Sequence, residues 1–319
     1  MEKTKKITSI GGSALIEGIM MRGPKKTTVA LRTGKDKIYT EDIEFKGVCH
    51  KYKFFRLPLI RGLGGMIDSM RLSHKCLMLS ANKAIESSEV EEEPSKFEKW
   101  LDEKFGDKLV NALMVVASVI GVAFAIGLFF FLPSFLYDLV CKITSVAESR
   151  LFKSVFEGVL KIVIFLAYIV LVSRMEDMRR VFMYHGAEHK TIFCYENEKD
   201  LTVENVRRFR RFHPRCGTSF IVIMLILGIF IGLFVPTAPF GYAWLRPFFR
   251  ILLIPISCGI GYELIRICGK HDNTFTRILS APGMWAQRIT TKEPTDDMIE
   301  CAISAISSVI PNDGSDIIK

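Results

Sequence analysis

The sequence predicts a mainly α-helical polytopic membrane protein, with about four transmembrane helices and a small N-terminal β-rich cytoplasmic unit. Three observations predict it. The hydrophobic fraction over 319 residues is 49%, yet long uncharged apolar runs alternate with strongly charged stretches, as expected when parts of one chain sit in different solvents. Two short runs with β-branched residues, joined by a turn-like segment, lie in the N-terminal region. Lysine and arginine concentrate in one central stretch between apolar runs, the pattern of a retained cytoplasmic loop.

Residues 1–56 are expected to form the β-rich unit. "TTVALRT" and "KIYTEDIEF" read as strands joined at "GKD", a hairpin-like turn. The preceding "GGSALIEGIMMRGPK" reads as a sharply bent, closely packed segment because of its glycines and Pro24. Residues 57–108 are expected as an amphipathic helix followed by an acidic linker. Leu59, Ile60, Leu63, Ile67 and Met70 recur at spacings of three and four, after Pro58, which suits a helix start. This helix either packs on the soluble unit or lies on the inner leaflet.

Residues 109–172 hold the first expected transmembrane pair, 109–132 ending at Pro133 and 155–172, where Glu157 and Lys161 are spaced to pair. Residues 219–268 hold the second pair. Its first span covers 219–235 and ends at Pro236; its second covers 247–265, with Arg250 placed to snorkel and Pro255 implying a kink. Residues 269–319 are a cytoplasmic tail, in which "PTDDMIECAISAI" reads as a capped amphipathic helix.

The stretch 173–218 carries ten Lys and Arg, against one in 237–246 and three in 137–153. The positive-inside rule therefore places it, and both termini, in the cytoplasm. The net charge of +9 is accounted for by this asymmetry, and nucleic acid is not an expected partner. Eight cysteines are scattered without a CxxC pair, so no structural disulfide is expected in a reducing compartment. No apolar run follows the basic first eight residues, so insertion is expected to use an internal helix.

Chemistry concentrates between His185 and Cys216. In "HGAEH", a helix would put His185 and His189 one turn apart, with Glu188 on nearly the same face. This matches the H-x-x-E-H pattern of inverted zinc peptidases, in which two His bind zinc and Glu serves as base. Gly186 weakens the helix slightly. In "HPRCGTS", His213 and Cys216 stand two residues apart before a glycine, as in zinc knuckles. His185, His189, His213 and Cys216 would then form one His3Cys set. Four protein ligands close a structural site, whereas three leave a position where Glu188 acts on water. A metal-free cluster, hydrogen-bonded among nearby arginines, is the other reading. Glu17 and Glu263 are further candidate hard ligands, Glu263 with Arg266 or Arg250 as its plain ion-pair partner.

"IGGSALIEGIMMRGP", "LPLIRGLGGMIDSM", "YHGAEHKTIFCYE", "LTVENVRRFRRFHPRCGTSF", "GYELIR" and "APGMWAQRITTKEPTDDMIE" resemble the domain of unknown function 1385 family, the YqhQ-type bacterial membrane proteins. The resemblance covers nearly the whole chain. It implies a multi-pass protein of the bacterial inner membrane and a metal-dependent enzyme of unspecified substrate. His185, Glu188, His189, His213 and Cys216 fall at the family's motif positions. Ser13 stands where many relatives have Gln.

The expected function is therefore a metal-dependent membrane enzyme, most simply a hydrolase at the cytoplasmic face. Its cofactor would be a divalent metal such as zinc, ligated by His185, His189 and His213 or Cys216, with Glu188 as base. The alternative is a non-catalytic scaffold or assembly factor with a structural metal or a hydrogen-bonded His/Cys cluster. Expected partners are the lipid bilayer and either a second copy or another membrane protein.

Overall fold

A computed structural model describes residues 6–34, 37–57, 60–87, 116–144, 149–270 and 273–318. The acidic linker, the start of the first expected span, Pro58 and His271–Asp272 lie outside the described residues. The chain is mainly helical with a small N-terminal antiparallel sheet. It divides into two compact units, one of Met1–Ser87, Phe165–Leu227 and Pro255–Lys319, the other of Ser88–Ile164 and Gly228–Ile254.

In the first unit, β1 (Gly11–Leu15), β2 (Gly18–Arg22), β3 (Thr27–Gly34) and β4 (Lys37–Asp42) form a meander in chain order. The segment read as sharply bent is thus the β1–β2 hairpin, turning at Ile16–Glu17. β2 lacks the polar–apolar alternation of a half-buried strand because four of its five residues are buried, on both faces. Ile19, Met21 and Ala30 pack with Tyr184, Ala187, Ile299 and Ile306. Met20, Val29 and Leu31 face the other way, toward Leu72 and Cys76.

The helices supplying those layers are α2 (Ile60–Ser87) on one side and α5 (Glu176–Glu196) with α11 (Asp296–Val309) on the other. Before α2 comes a single turn, α1 (Val48–Lys51), whose Val48 N–H donates to buried Asp68 at 2.6 Å. The face of α2 toward the sheet runs through Leu72 and Cys76, while Met70, expected on the apolar face, is exposed. The expected C-terminal helix is α11, with Thr295 at its N-cap and Asp296 and Asp297 in its first turn, where carboxylates suit the helix dipole. A second tail helix, α10 (Thr274–Thr290), was not expected: it runs through Pro282. An Asn273–Thr276 capping box starts it. The short α6 (Val203–Arg207) follows α5.

By length and composition, two helices suit a membrane: α3, within Val116–Thr144, and α4 (Arg150–Val172). A third candidate is the pair α8 (Arg246–Leu252) and α9 (Ile254–Lys270), if the 47° bend before Pro255 interrupts one span. The apolar α7 (Gly217–Gly232) has 16 residues, about 24 Å, short of the ~30 Å hydrocarbon core. The helix continues past Pro133 to Thr144, with a π turn over Gly127–Phe131 just before the proline. A π turn lets the backbone adjust where the proline N–H is missing.

In the second unit, charge is buried against charge. Glu157 does not pair with Lys161; it receives Arg250 and, at 3.3 Å, Arg246. Arg250 is therefore largely buried rather than snorkelling. Arg246, fully buried, also donates to the carbonyls of Val235, Pro236 (2.7 Å) and Gly232 (3.1 Å) and to Ser154 Oγ (2.9 Å). Arg250 donates to Gly228 O at 3.1 Å. Two guanidinium groups thus donate to backbone carbonyls in the last turns of α7 and just beyond it.

Removing one partner of a buried ion pair leaves an uncompensated charge and costs about 3–5 kcal/mol. Glu157→Ala, which leaves the guanidinium groups of Arg246 and Arg250 without a counter-charge, is expected to destabilise the purified protein by about that amount, read as a lower thermal midpoint in detergent. Lys26→Ala, at an exposed pair with Asp42, is expected to shift it by less than about 1 kcal/mol.

Candidate metal centre

The centre of α5 carries His185, Glu188 and His189 on one face, as the helical period requires. Gly186 has a packing role. A Cβ there would lie 2.0 Å from Lys292 O, and the Lys292 N–H donates to Phe182 O at 2.8 Å. The helix therefore lies against the backbone that follows α10. The small loss in helix propensity is offset by an approach only glycine allows.

The second piece, His213 to Cys216, is brought in at the start of α7. The Cys216 carbonyl accepts from the Ser219 N–H (3.0 Å) and its sulfur from the Thr218 N–H (3.4 Å). Gln287 of α10, fully buried, clamps the segment. Its Oε1 accepts from the His213 N–H (2.7 Å), and its Nε2 donates to His213 O (2.8 Å) and Ser219 Oγ (2.9 Å).

These contacts bring three candidate ligands together. One donor atom each of His185, His189 and Cys216 lies within 4.8 Å of the other two. His185 Nε2 is 3.2 Å from Cys216 Sγ, and the two histidine rings are 4.4 Å apart between centroids. His185 Nδ1 donates to Thr290 O (2.9 Å), and His189 Nδ1 to Arg211 O (2.5 Å). A carbonyl partner keeps a proton on Nδ1 and turns Nε2 toward the cluster, as the nitrogen that would give up its proton to bind a metal.

His213 stands beside this trio rather than in it. Its ring lies 5.6 Å from that of His189 and 4.6 Å from Phe193. Its Nδ1 accepts from the Arg215 N–H (3.3 Å), and its Nε2 is 3.6 Å from Glu196 Oε2. Burial, reinforced by Arg215, pulls its pKa down to about 4. Glu188 is buried at the edge of the cluster, with Oε1 accepting from the Gly12 N–H at 3.1 Å. A Cβ at Gly12 would meet the Glu188 carboxyl carbon at 3.0 Å and Met20 O at 2.6 Å, so glycine lets strand and carboxylate meet. Glu17 and Glu263 are committed elsewhere. Arg180 holds Glu17 at 2.5 and 2.6 Å; Arg61 holds Glu263 at 2.6 Å through both oxygens, and the expected Arg266 lies 3.9 Å from it, while Arg250 pairs with Glu157 instead.

Burial raises the pKa of Glu188 against the pull of both histidines. At His185, burial opposes the charged ring, yet the adjacent Cys216 sulfur outweighs it and lifts the pKa to about 9. Burial likewise opposes the Cys216 thiolate, and the two imidazoles overcome it, leaving the thiol well below its ordinary range. All four groups border a cavity of about 520 Å³, walled on the opposite side by β1. Two nitrogens and a thiolate are a donor set that suits zinc.

The chain matches the family described as "Protein of unknown function (DUF1385)" over residues 57–312. It is 33% identical over 312 residues to the "Uncharacterized protein YqhQ" of Bacillus subtilis (strain 168), covering 97% of this chain and 95% of that one. The chain belongs to the DUF1385 family. No solved structure matches it. The five motif residues of this DUF1385 member therefore rest on geometry for their roles.

Sequence reasoning missed Gln287, Thr290, Glu196 and Gly12. For two of them a signal was present. Thr276, Ser280, Gly283, Gln287 and Thr290 recur every four and three residues along α10, all buried, while Phe275, Ile278 and Trp285 are exposed. Polar residues thus form the buried stripe of this helix.

Two outcomes follow from these contacts. Gly186→Ala must displace Lys292 O, and overpacking of this kind costs about 1–3 kcal/mol, read as a lower unfolding midpoint. Glu196 is held below the ordinary carboxylate range: burial raises it, but His213 and Arg215 prevail. A depressed folded-state pKa stabilises above the unfolded value of about 4.3, and that contribution is lost as pH falls through the folded value. Glu196→Gln should therefore flatten the acid side of a plot of thermal midpoint against pH; an unchanged slope would refute this.

Proposed function

We propose that this chain is a metal-dependent membrane hydrolase, in which His185, His189 and Cys216 hold one zinc-like divalent ion and Glu188 is the general base. The observation that carries the reading is the commitment of both Nδ1 atoms to backbone carbonyls, with both imidazoles converging on Cys216 Sγ. Bound there, such an ion supplies Lewis-acid activation of water and of a substrate carbonyl or phosphoryl oxygen.

The protein groups divide the remaining work. Glu188 keeps Oε2 free of its Gly12 contact. Its raised pKa brings it nearer neutrality, where a base both accepts and returns a proton efficiently. It takes the proton of the attacking water and delivers it to the leaving group. Thr290 and Arg211 carbonyls orient the two imidazoles, and His213 with Gln287 positions the segment that carries Cys216. The three-ligand set leaves the opening that distinguishes a catalytic from a closed structural centre.

In this reading the chain crosses the bacterial inner membrane four times, with α7 and the bent α8–α9 pair completing the set. Both termini and the cluster then face the cytoplasm, following the ten basic residues of 173–218.

The test uses full-length protein purified in detergent, with p-nitrophenyl acetate hydrolysis and elemental analysis as paired readouts. Wild type is expected to carry about one ion per chain and His189→Ala none. Glu188→Gln is expected to keep the ion while its rate falls about 100-fold or more, the usual contribution of a general base. A Glu188→Gln rate equal to wild type, with a stability loss in His185→Ala, would instead favour a non-catalytic scaffold clipped by the same residues.

A further inference from the structure

The cavity beside Glu188 is bordered by a sheet edge. β1 is the terminal strand of the meander, and Gly11 to Ala14 line the cavity together with His185 and Glu188. The hairpin register pairs Leu15 with Gly18, Ser13 with Met20 and Gly11 with Arg22. In an antiparallel pair, successive residues turn their backbone N–H and C=O alternately toward the partner strand and away from it. The Gly12 N–H points away from β2, because it donates to Glu188 Oε1. Ala14, two residues on, presents its N–H and C=O on the same side. Among the described residues, the Ala14 N–H meets no acceptor, and its carbonyl meets only the Ser13 hydroxyl, at 3.4 Å.

We infer that the substrate of the proposed hydrolytic site is an extended polypeptide segment, bound as an added strand on the outer edge of β1 with its scissile amide beside Glu188. The inference rests on the hydrolase reading and narrows its substrate class. On β1 the outward positions are Gly12 and Ala14, about 6.8 Å apart; with the Gly12 N–H on Glu188, the edge offers the Gly12 carbonyl and the Ala14 N–H and carbonyl, which the backbone of an extended peptide matches. Gly12, with its N–H already on Glu188, brings the base to the end of that ladder.

The cavity is poor for an anionic headgroup. Arg215, the arginine among its lining residues, is committed to Thr8 O and Glu196. His213 is held neutral by burial. At about 520 Å³, the space falls within the roughly 300–1,000 Å³ usual for ligand sites. Apolar Val181, Phe182 and Ile192 complete its wall, suiting peptide side chains more than a sugar.

The test compares binding of three probes to the full-length, metal-loaded protein in detergent. They are acetohydroxamate, an acetyl-Val-Leu-Val hydroxamate, and the same peptide N-methylated at the amide that would meet Ala14. The peptide is expected to bind at least tenfold more tightly than acetohydroxamate, and N-methylation to erase that gain. Ala14→Pro removes only an outward N–H, as an edge strand tolerates, and should erase it too; Ala14→Ser, which keeps the N–H, should not.

Equal binding of the methylated and unmethylated peptides overturns the strand inference and leaves the hydrolase reading intact. Failure of acetohydroxamate to bind sinks the metal reading. The strand is then judged with acetyl-Val-Leu-Val amide, whose equal binding in N-methylated and unmethylated forms overturns it as well.

Discussion

Two hydrogen bonds from imidazole to backbone carry the site: His185 Nδ1 to Thr290 O and His189 Nδ1 to Arg211 O. Each fixes a ring's rotation and its protonated nitrogen together. Their acceptors lie far along the chain from α5, at the end of α10 and just before His213. The cluster therefore exists only when three separate segments are folded against one another. That requirement explains the close approach at Gly186, the clamp by Gln287 and the buried Glu196 behind His213. A helix bearing H-x-x-E-H alone would present two imidazoles on one face without fixing which nitrogen of either ring faces inward.

The sequence carried the local chemistry well and the long-range placement poorly. The helical spacing of His185, Glu188 and His189 was legible because a period of 3.6 is a local property. The meeting of Cys216 with that face was expected from ligand type, and the fold brings the two together. The place of His213 was not legible. Its partner Glu196 lies on α5, and no spacing rule announces that its ring will turn toward a carboxylate. The β1–β2 hairpin was hidden for a different reason: a strand buried on both faces loses the alternation that identifies it. Glu263 shows both sides: its local partner Arg266, at 3.9 Å, was legible from spacing, and its shorter contact, Arg61, 202 positions away, was not.

The second unit follows a related logic. In the sequence, Glu157 was spaced to pair with Lys161, Arg250 was placed to snorkel, and Arg246 was the one basic residue of 237–246. Glu157, Arg246 and Arg250 form one buried cluster that also takes the terminal carbonyls of α7. Charges in such surroundings persist when they are paired and when they satisfy backbone groups that water cannot reach. The shortness of α7 is compatible with membrane residence when carbonyls at and beyond its end have partners.

The proposed ligand set is three side chains, two imidazoles and one thiolate, with His213 outside it. X-ray absorption at the metal edge of the zinc-loaded protein tests this most directly, recorded for wild type and for His213→Ala. The expected result is one sulfur and two imidazole scatterers in wild type, unchanged in the variant. A third imidazole that disappears with His213, or a metal shell without sulfur, would contradict it.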